Sequence, residues 1–204
     1  MTTITADQVL RLARKAHPVY RKALETAAAA LQPYGILETP RRLAHFMAQI
    51  LHESGGFTVL EENLNYRAER LLVVFPKYFK TRADADLCAR NPEALAEKVY
   101  GGRMGNVRPG DGFRYRGRGP LQITGKNNYA TVGKKLGDDL VTFPDLVISE
   151  RYALRIPALF WRDAGCNLLA DADDLTAVTK AINGGTIGLE DRRAWLAKTK
   201  AMWP

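Results

Sequence analysis

The stretch from 39 to 56, TPRRLAHFMAQILHESGG, constrains the fold more than any other part of the chain. Leu43, Phe46, Met47, Ile50 and Leu51 recur at i, i+3, i+4, i+7 and i+8, the spacing of one buried helix face. Thr39 can cap the helix, Pro40 suits its first position, and Gly55 and Gly56 end it. On this helix His45 and His52 fall on the wetter side. Such a helix needs partners, and the chain supplies them. Helical patterns cover about 7–16 (with Thr5 as cap), 19–31 (stopped by Pro33 and Gly35), 69–79 and 84–100, with a break at Asn91-Pro92. Further ones cover 127–136, 150–164, 175–182 and 190–202. Residues 58–66 suggest one or two small strands. Residues 101–119, rich in glycine and arginine, suggest an exposed loop, and 168–174 a solvated acidic one. The expectation is a mainly α (α+β) protein with a small β element, in one domain spanning 1–204, with the N-terminal helices to about 38 packed on it.

Charge narrows the partners. The net charge of +8 favours a polyanion: nucleic acid, an anionic cell wall or an anionic membrane surface. Lysine and arginine are spread along the chain without interleaved aromatics, so no nucleic-acid partner is expected. Cys88 and Cys166 read as two isolated, buried thiols rather than a disulfide or metal pair. Only three histidines exist, and HESGG lacks the second histidine of a zinc helix, so no metal is expected. No apolar run is long enough to cross a membrane. Arg11, Arg14 and Lys15 interrupt any signal-type apolar stretch, so synthesis in a cytoplasm without a signal peptide is expected.

The chemistry begins at Glu53. It occupies the last turn of the predicted helix, at the edge of the apolar face, where the helix dipole and partial burial both disfavour a charge. A carboxyl that keeps its proton suits a general acid. Glu61 and Glu62 follow closely, and glycoside hydrolysis commonly uses two carboxylates, about 6.5–9.5 Å apart when the product is inverted. Strict alternation would favour Glu61 as the open residue, but so short a segment leaves Glu61 and Glu62 both in play. A second cluster is RYRGRGPLQITGKNNY, 114–129, in which glycines permit close backbone approach. There Gln122, Thr124, Asn127, Asn128 and Tyr129 offer neutral hydrogen-bonding groups suited to sugar hydroxyls and amides. Asn183 in INGG is a third polar residue beside paired glycines. The glycine spacing matches no phosphate loop.

The three pieces in order, FMAQILHESGG, GRGPLQIT with NNY, and INGG, resemble the family 19 glycoside hydrolases across about 40–195. They are most similar to the endolysin branch, related to plant-type chitinases that carry H-E-T-G-G, Y-x-G-R-G-P-x-Q-L-S/T and N-G-G. The resemblance implies a lysozyme-like fold with a small β element flanking a substrate cleft. It implies inverting hydrolysis of β-1,4 bonds between N-acetylated amino sugars, with no cofactor. It assigns Glu53 as general acid, Glu62 as second carboxylate with Glu61 as the alternative, and Thr124 as a holder of the attacking water. Gln122, Asn128, Tyr129 and Asn183 match substrate-binding positions; His52, Glu61 and Arg193, or Arg192, join the candidates. Gly125-Lys126 replaces the chitinase tryptophan, and the chitinase cysteines are missing. Peptidoglycan glycan strands are therefore the expected partner, and a monomeric phage endolysin that lyses the host the expected role. With no separate wall-binding module expected, the catalytic domain itself would meet the wall and the anionic outer membrane. It would work in the periplasm after release by a holin. Chitin hydrolysis, a lytic transglycosylase and a non-catalytic basic binding module are the alternatives.

Overall fold

The computed structural model describes all 204 residues. Thirteen α-helices run in the order α1 (Ala6–Leu12), α2 (Pro18–Leu24), α3 (Ala27–Leu31), α4 (Pro40–Glu53), α5 (Ala68–Val74), α6 (Arg82–Asp86) and α7 (Pro92–Tyr100). They continue as α8 (Asp111–Arg114), α9 (Lys126–Leu136), α10 (Arg155–Asp163), α11 (Cys166–Asp171), α12 (Leu175–Asn183) and α13 (Leu189–Met202). The chain groups into two compact units. The first comprises Met1–Leu60, Gly119–Leu121 and Leu146–Pro204; the second comprises Glu61–Arg118 and Gln122–Asp145.

In the first unit α4 is the organising element. Thr39 Oγ1 accepts from the Arg42 N–H and Pro40 opens the helix, as expected from the sequence. Burial exceeds the expected stripe: every residue from Leu43 to Leu51 is buried. His45 corrects the expectation of a wet face. It is fully buried, and its Nε2 lies 2.7 Å from Asp173 Oδ1. Burial lowers the His45 pKa from the ordinary histidine value, with Asp173 working the other way. Phe46 meets Trp161 edge to face at 5.5 Å. On another side α13 lies along α4, where Leu196 joins Ala44 and Ala48, and Thr199 Oγ1 donates to the Ala44 carbonyl at 2.9 Å.

The acidic stretch 168–174 is a correction too. Asp171 ends α11 and takes the Arg42 guanidinium at 2.7–3.0 Å. Asp173 pairs with Lys200 as well as His45. These carboxylates, though still partly open to water, fasten α11 and the turn after it to α4 and α13. The expected helix over 19–31 is broken between α2 and α3, where Thr26 leaves the helical conformation. The expected helix over 69–79 stops at Val74, because Pro76 cannot continue it. Cys88 and Cys166 are free, buried thiols.

The second unit packs α5, α6 and α7 around Leu71, Phe79, Leu95 and Ala96. The segment 101–119 is an exposed loop only in part: 107–110 are exposed, but Asn106 and most of 111–119 are buried or half-buried. Fully buried Asn106 donates to the Tyr100 carbonyl and accepts from the Lys126 N–H, and α8 packs so closely on α7 that a Cβ at Gly112 would lie 2.7 Å from the Ala96 carbonyl oxygen. The expected strands at 58–66 do not form. Pairing is confined to two isolated bridges, Glu61 with Arg118 and Arg118 with Ile123. A segment so short, with Asn63 and Asn65 beyond it, gives no ladder to extend.

Candidate active site

The first unit presents Glu53 at the C-terminal end of α4, its side chain 23% exposed. The sequence suggests a carboxyl alone at the negative end of a helix; the structure corrects this. The Arg192 Nη2 donates to Glu53 Oε1. Its Nη1 donates to Gln49 Oε1, and Gln49 Nε2 reaches Thr179 Oγ1 at 3.4 Å. Gln49 precedes Glu53 by four residues, one helical turn, so both face α13 together. Arg192 is 1% exposed and can turn only as its partners allow. The clamp therefore fixes one carboxyl oxygen and leaves Oε2 to meet a ligand.

His52 lies beside this clamp, its Nδ1 2.6 Å from Asp191 Oδ2. The room for its ring comes from Gly188, where a Cβ would come within 2.6 Å of the imidazole. Adjacent residues of α13, Asp191 and Arg192, thus hold adjacent residues of α4. Arg193 turns the other way: its side chain is 59% exposed and its nearest carboxylate is Glu190. Of the two arginines considered from sequence, Arg192 is the one that meets a candidate carboxylate. Asn183 ends α12 and is exposed.

The second unit separates the two glutamates that the sequence leaves tied. Glu61 Oε2 is held by Arg116, at 2.6 Å from Nη2 and 3.1 Å from Nε, with Arg118 Nε at 3.5 Å. Arg116 also stacks over Phe113 at 4.2 Å. Glu61 serves as the counter-ion of this arginine pair. Glu62 has only neutral donors: the Tyr100 hydroxyl donates to Oε2 at 2.7 Å, and the Gly117 N–H donates to Oε1. Its own N–H bonds the Gly117 carbonyl at 2.9 Å, which fixes the backbone as well.

Gly117 is where the polar groups converge. A Cβ there would lie 2.8 Å from Gln122 Oε1, 3.1 Å from Thr124 Oγ1 and 3.2 Å from Glu62 Oε1. Three oxygens thus crowd the open face of Gly117, where no side chain would fit. Gln122 reaches this point from a left-handed backbone, φ 49°, inside a turn closed by mutual hydrogen bonds of Arg118 and Ile123. Thr124 Oγ1 donates to the Gln122 carbonyl at 3.0 Å, keeping its lone pairs available.

Of two further expected substrate residues, one is buried and the other exposed. Tyr129 is fully buried; its hydroxyl donates to the Arg116 carbonyl and accepts from Arg118 Nη1 at 3.0 Å, so it supports the arginines from beneath. Asn128 is exposed, but its amide donates to the Thr124 carbonyl at 2.7 Å, closing the first turn of α9. Sequence reasoning passed over Gln49, Tyr100 and Asp191. A glutamine on a helix face otherwise apolar was a signal, since buried polar groups require partners. Tyr100 and Asp191 carried none. A cavity of about 690 Å³ in the first unit touches Thr39, Arg41, Asp173 and Trp203 at the opposite end of α4. Helix rise puts that end roughly 20 Å from Glu53, and none of the predicted site residues lines it.

The chain matches a family model described as chitinase class I over residues 19–167. It is 41% identical over 151 residues to a glycosyl hydrolase family 19 domain-containing protein of Haemophilus influenzae, covering 73% of this chain and 74% of that one. An endochitinase of Arabidopsis thaliana is 31% identical over 167 residues, covering 81% of this chain and 47% of the plant protein. The chain thus spans about half of that relative's length. Among solved structures, chitinase C from Streptomyces griseus superposes with a TM-score of 0.67 at 20% identity, covering 98% of this chain and 76% of that chain. A bacterial family 19 chitinase gives 0.64 at 21% identity, covering 98% and 94%. At such identities these two establish the helical fold alone.

Proposed function

Because the chain belongs to the family 19 glycoside hydrolases, we propose that it is an endolysin cleaving β-1,4 glycosidic bonds of peptidoglycan with inversion. It is a chitinase-like glycosidase, and its substrate is a glycan. We assign Glu53 as the general acid. Its Oε2 gives a proton to the glycosidic oxygen as the bond from the anomeric carbon to that oxygen breaks. Glu62 accepts a proton from a water whose oxygen bonds the anomeric carbon from the opposite face. The two carboxyls exchange protonation states, and water resets them. Thr124 and Gln122 orient that water, while His52 and Asn183 contact the sugar. Arg192 fixes the acid's direction, and Arg193 is not retained. The reaction takes no cofactor.

The convergence of Glu62, Gln122 and Thr124 beside Gly117 carries this reading. It supplies a carboxylate and two neutral oxygens in one place, which activating a water requires. Peptidoglycan is favoured by the +8 charge and by Gly125-Lys126 in place of the chitinase tryptophan. We take the site of action to be the anionic wall, reached from the host cytoplasm through a holin lesion, by a monomer that also touches the outer membrane. Mass analysis of peptidoglycan digested by wild type, Glu53→Gln, Glu61→Gln and Glu62→Gln tests the assignment. Hydrolysed, reducing muropeptides from wild type and Glu61→Gln, with none from the other two, are expected. Anhydro ends would overturn hydrolysis in favour of a transglycosylase. The plant endochitinase match favours a second reading, chitin hydrolysis. Faster turnover of soluble chitin oligomers than of purified peptidoglycan would establish it instead.

A further inference from the structure

Glu62 differs from Glu61 in what surrounds it, and the difference points past the carboxylate itself. Glu61 is neutralised by guanidinium groups, whereas Glu62 is held by a backbone N–H and one phenol. Tyr100 is the last residue of α7, and the Asn106 amide bonds its carbonyl, so the phenol projects from a fixed backbone. Its hydroxyl lies 2.7 Å from Glu62 Oε2. We infer that Tyr100 is a positioning residue for the second carboxylate, holding Oε2 so that Oε1 stays beside Gly117, Gln122 and Thr124. This deepens the proposed reaction and rests on Glu62 being its base.

A neutral donor does what a cation here would do badly. It holds the carboxylate in place through a hydrogen bond, yet puts no full positive charge beside it. Burial, the Glu62 contact and the nearby Tyr78 and Tyr66 raise the Tyr100 pKa above the ordinary phenol value, so it remains a donor throughout the working range. The other charged groups on this side are already committed. Arg103 bonds the Tyr78 hydroxyl and the Val99 carbonyl, and Arg116 and Arg118 face Glu61. Tyr100 is thus the side chain that fixes the direction of the Glu62 carboxylate.

The test compares kcat, KM and pH–rate profiles of wild type, Tyr100→Phe and Tyr78→Phe on peptidoglycan, with Glu62→Gln as reference. Loss of one hydrogen bond to a charged group should lower kcat roughly 10- to 100-fold, with KM within about a factor of two because the substrate loses no contact. The acidic limb of the profile should move to higher pH, because the ionised carboxylate has lost a donor. Tyr78→Phe should leave both unchanged. Should Tyr100→Phe fail to fold, Tyr100→3-fluorotyrosine keeps the shape with a more acidic hydroxyl, and should move the limb to lower pH. A folded Tyr100→Phe with wild-type kcat and an unmoved limb, or a fluorinated variant with an unmoved limb, overturns the inference. An active Glu62→Gln overturns the assignment of Glu62 itself, so the two failures are told apart.

Discussion

Arg192 is 1% exposed between Glu53 and Gln49, while Arg193 has a side chain 59% exposed beside Glu190. Removing one partner of a fully buried ion pair costs roughly 3–5 kcal/mol. Glu53 reaches water, so Arg192→Ala should cost less, about 2–3 kcal/mol by denaturant unfolding. Arg193→Ala should stay within about 0.5 kcal/mol. Glu53→Gln should lower kcat by roughly 100- to 10,000-fold, as expected for loss of a general acid, and should also lower the unfolding midpoint, because the buried Arg192 guanidinium loses its counter-charge. Gly117→Ala places a methyl where three oxygens converge and should abolish turnover; wild-type activity in a folded Gly117→Ala would remove that point from the mechanism. At this scale sequence motifs single out Glu53, Gln122 and Thr124, and the structure brings the last two together beside Glu62. The sequence was not legible where the partner came from far along the chain. The different surroundings of Glu61 and Glu62 come from Arg116 and Tyr100. Tyr129 looked like a polar binding residue because a buried tyrosine and an open one are the same letter.

Among the elements, α4 was read nearly to the residue, because its cap, its proline and its glycines are local signals. Its wet side was not legible. Periodicity assigns polar residues outward, and only the turn after α11 supplies the Asp173 that partners the buried His45, itself paired with Lys200 of α13. That burial gives a pH dependence. The folded-state pKa of His45 lies below its unfolded value, so the unfolded chain binds more protons in the window between them. The stabilisation is present above about pH 6.5 and is lost as pH falls through the folded-state value. Asp173, also lowered, adds a further loss in the carboxylate range. The Tm should fall on acidification from pH 7 to 5, and His45→Gln should flatten that fall. Thr39→Ala should cost about 1 kcal/mol through the lost cap. The strand prediction failed because two or three paired residues leave no alternation to detect, and α8 is hidden in a segment whose glycines read as loop.

For the whole molecule, charge and order of assembly matter most. A net charge of +8 on the proposed polyanionic substrate implies attraction screened within about 8 Å at physiological ionic strength. Raising NaCl from 0.05 to about 0.5 M should therefore depress peptidoglycan turnover severalfold, while turnover of neutral chitin oligomers stays level. Equal salt sensitivity on both would place the effect in the protein, not in attraction to the wall. The interleaving of the two units along the chain was not legible in the sequence, since each draws on segments far apart. Helix α4 is buried on nearly every side, yet the helix that covers it and clamps Glu53 stands about 140 positions downstream. During synthesis that greasy cylinder waits uncovered while most of the polypeptide is still to come, and closing so long a loop is slow. Nascent chains should accordingly need chaperone shelter, and C-terminal deletions should surface as inclusion bodies before they surface as weak enzymes.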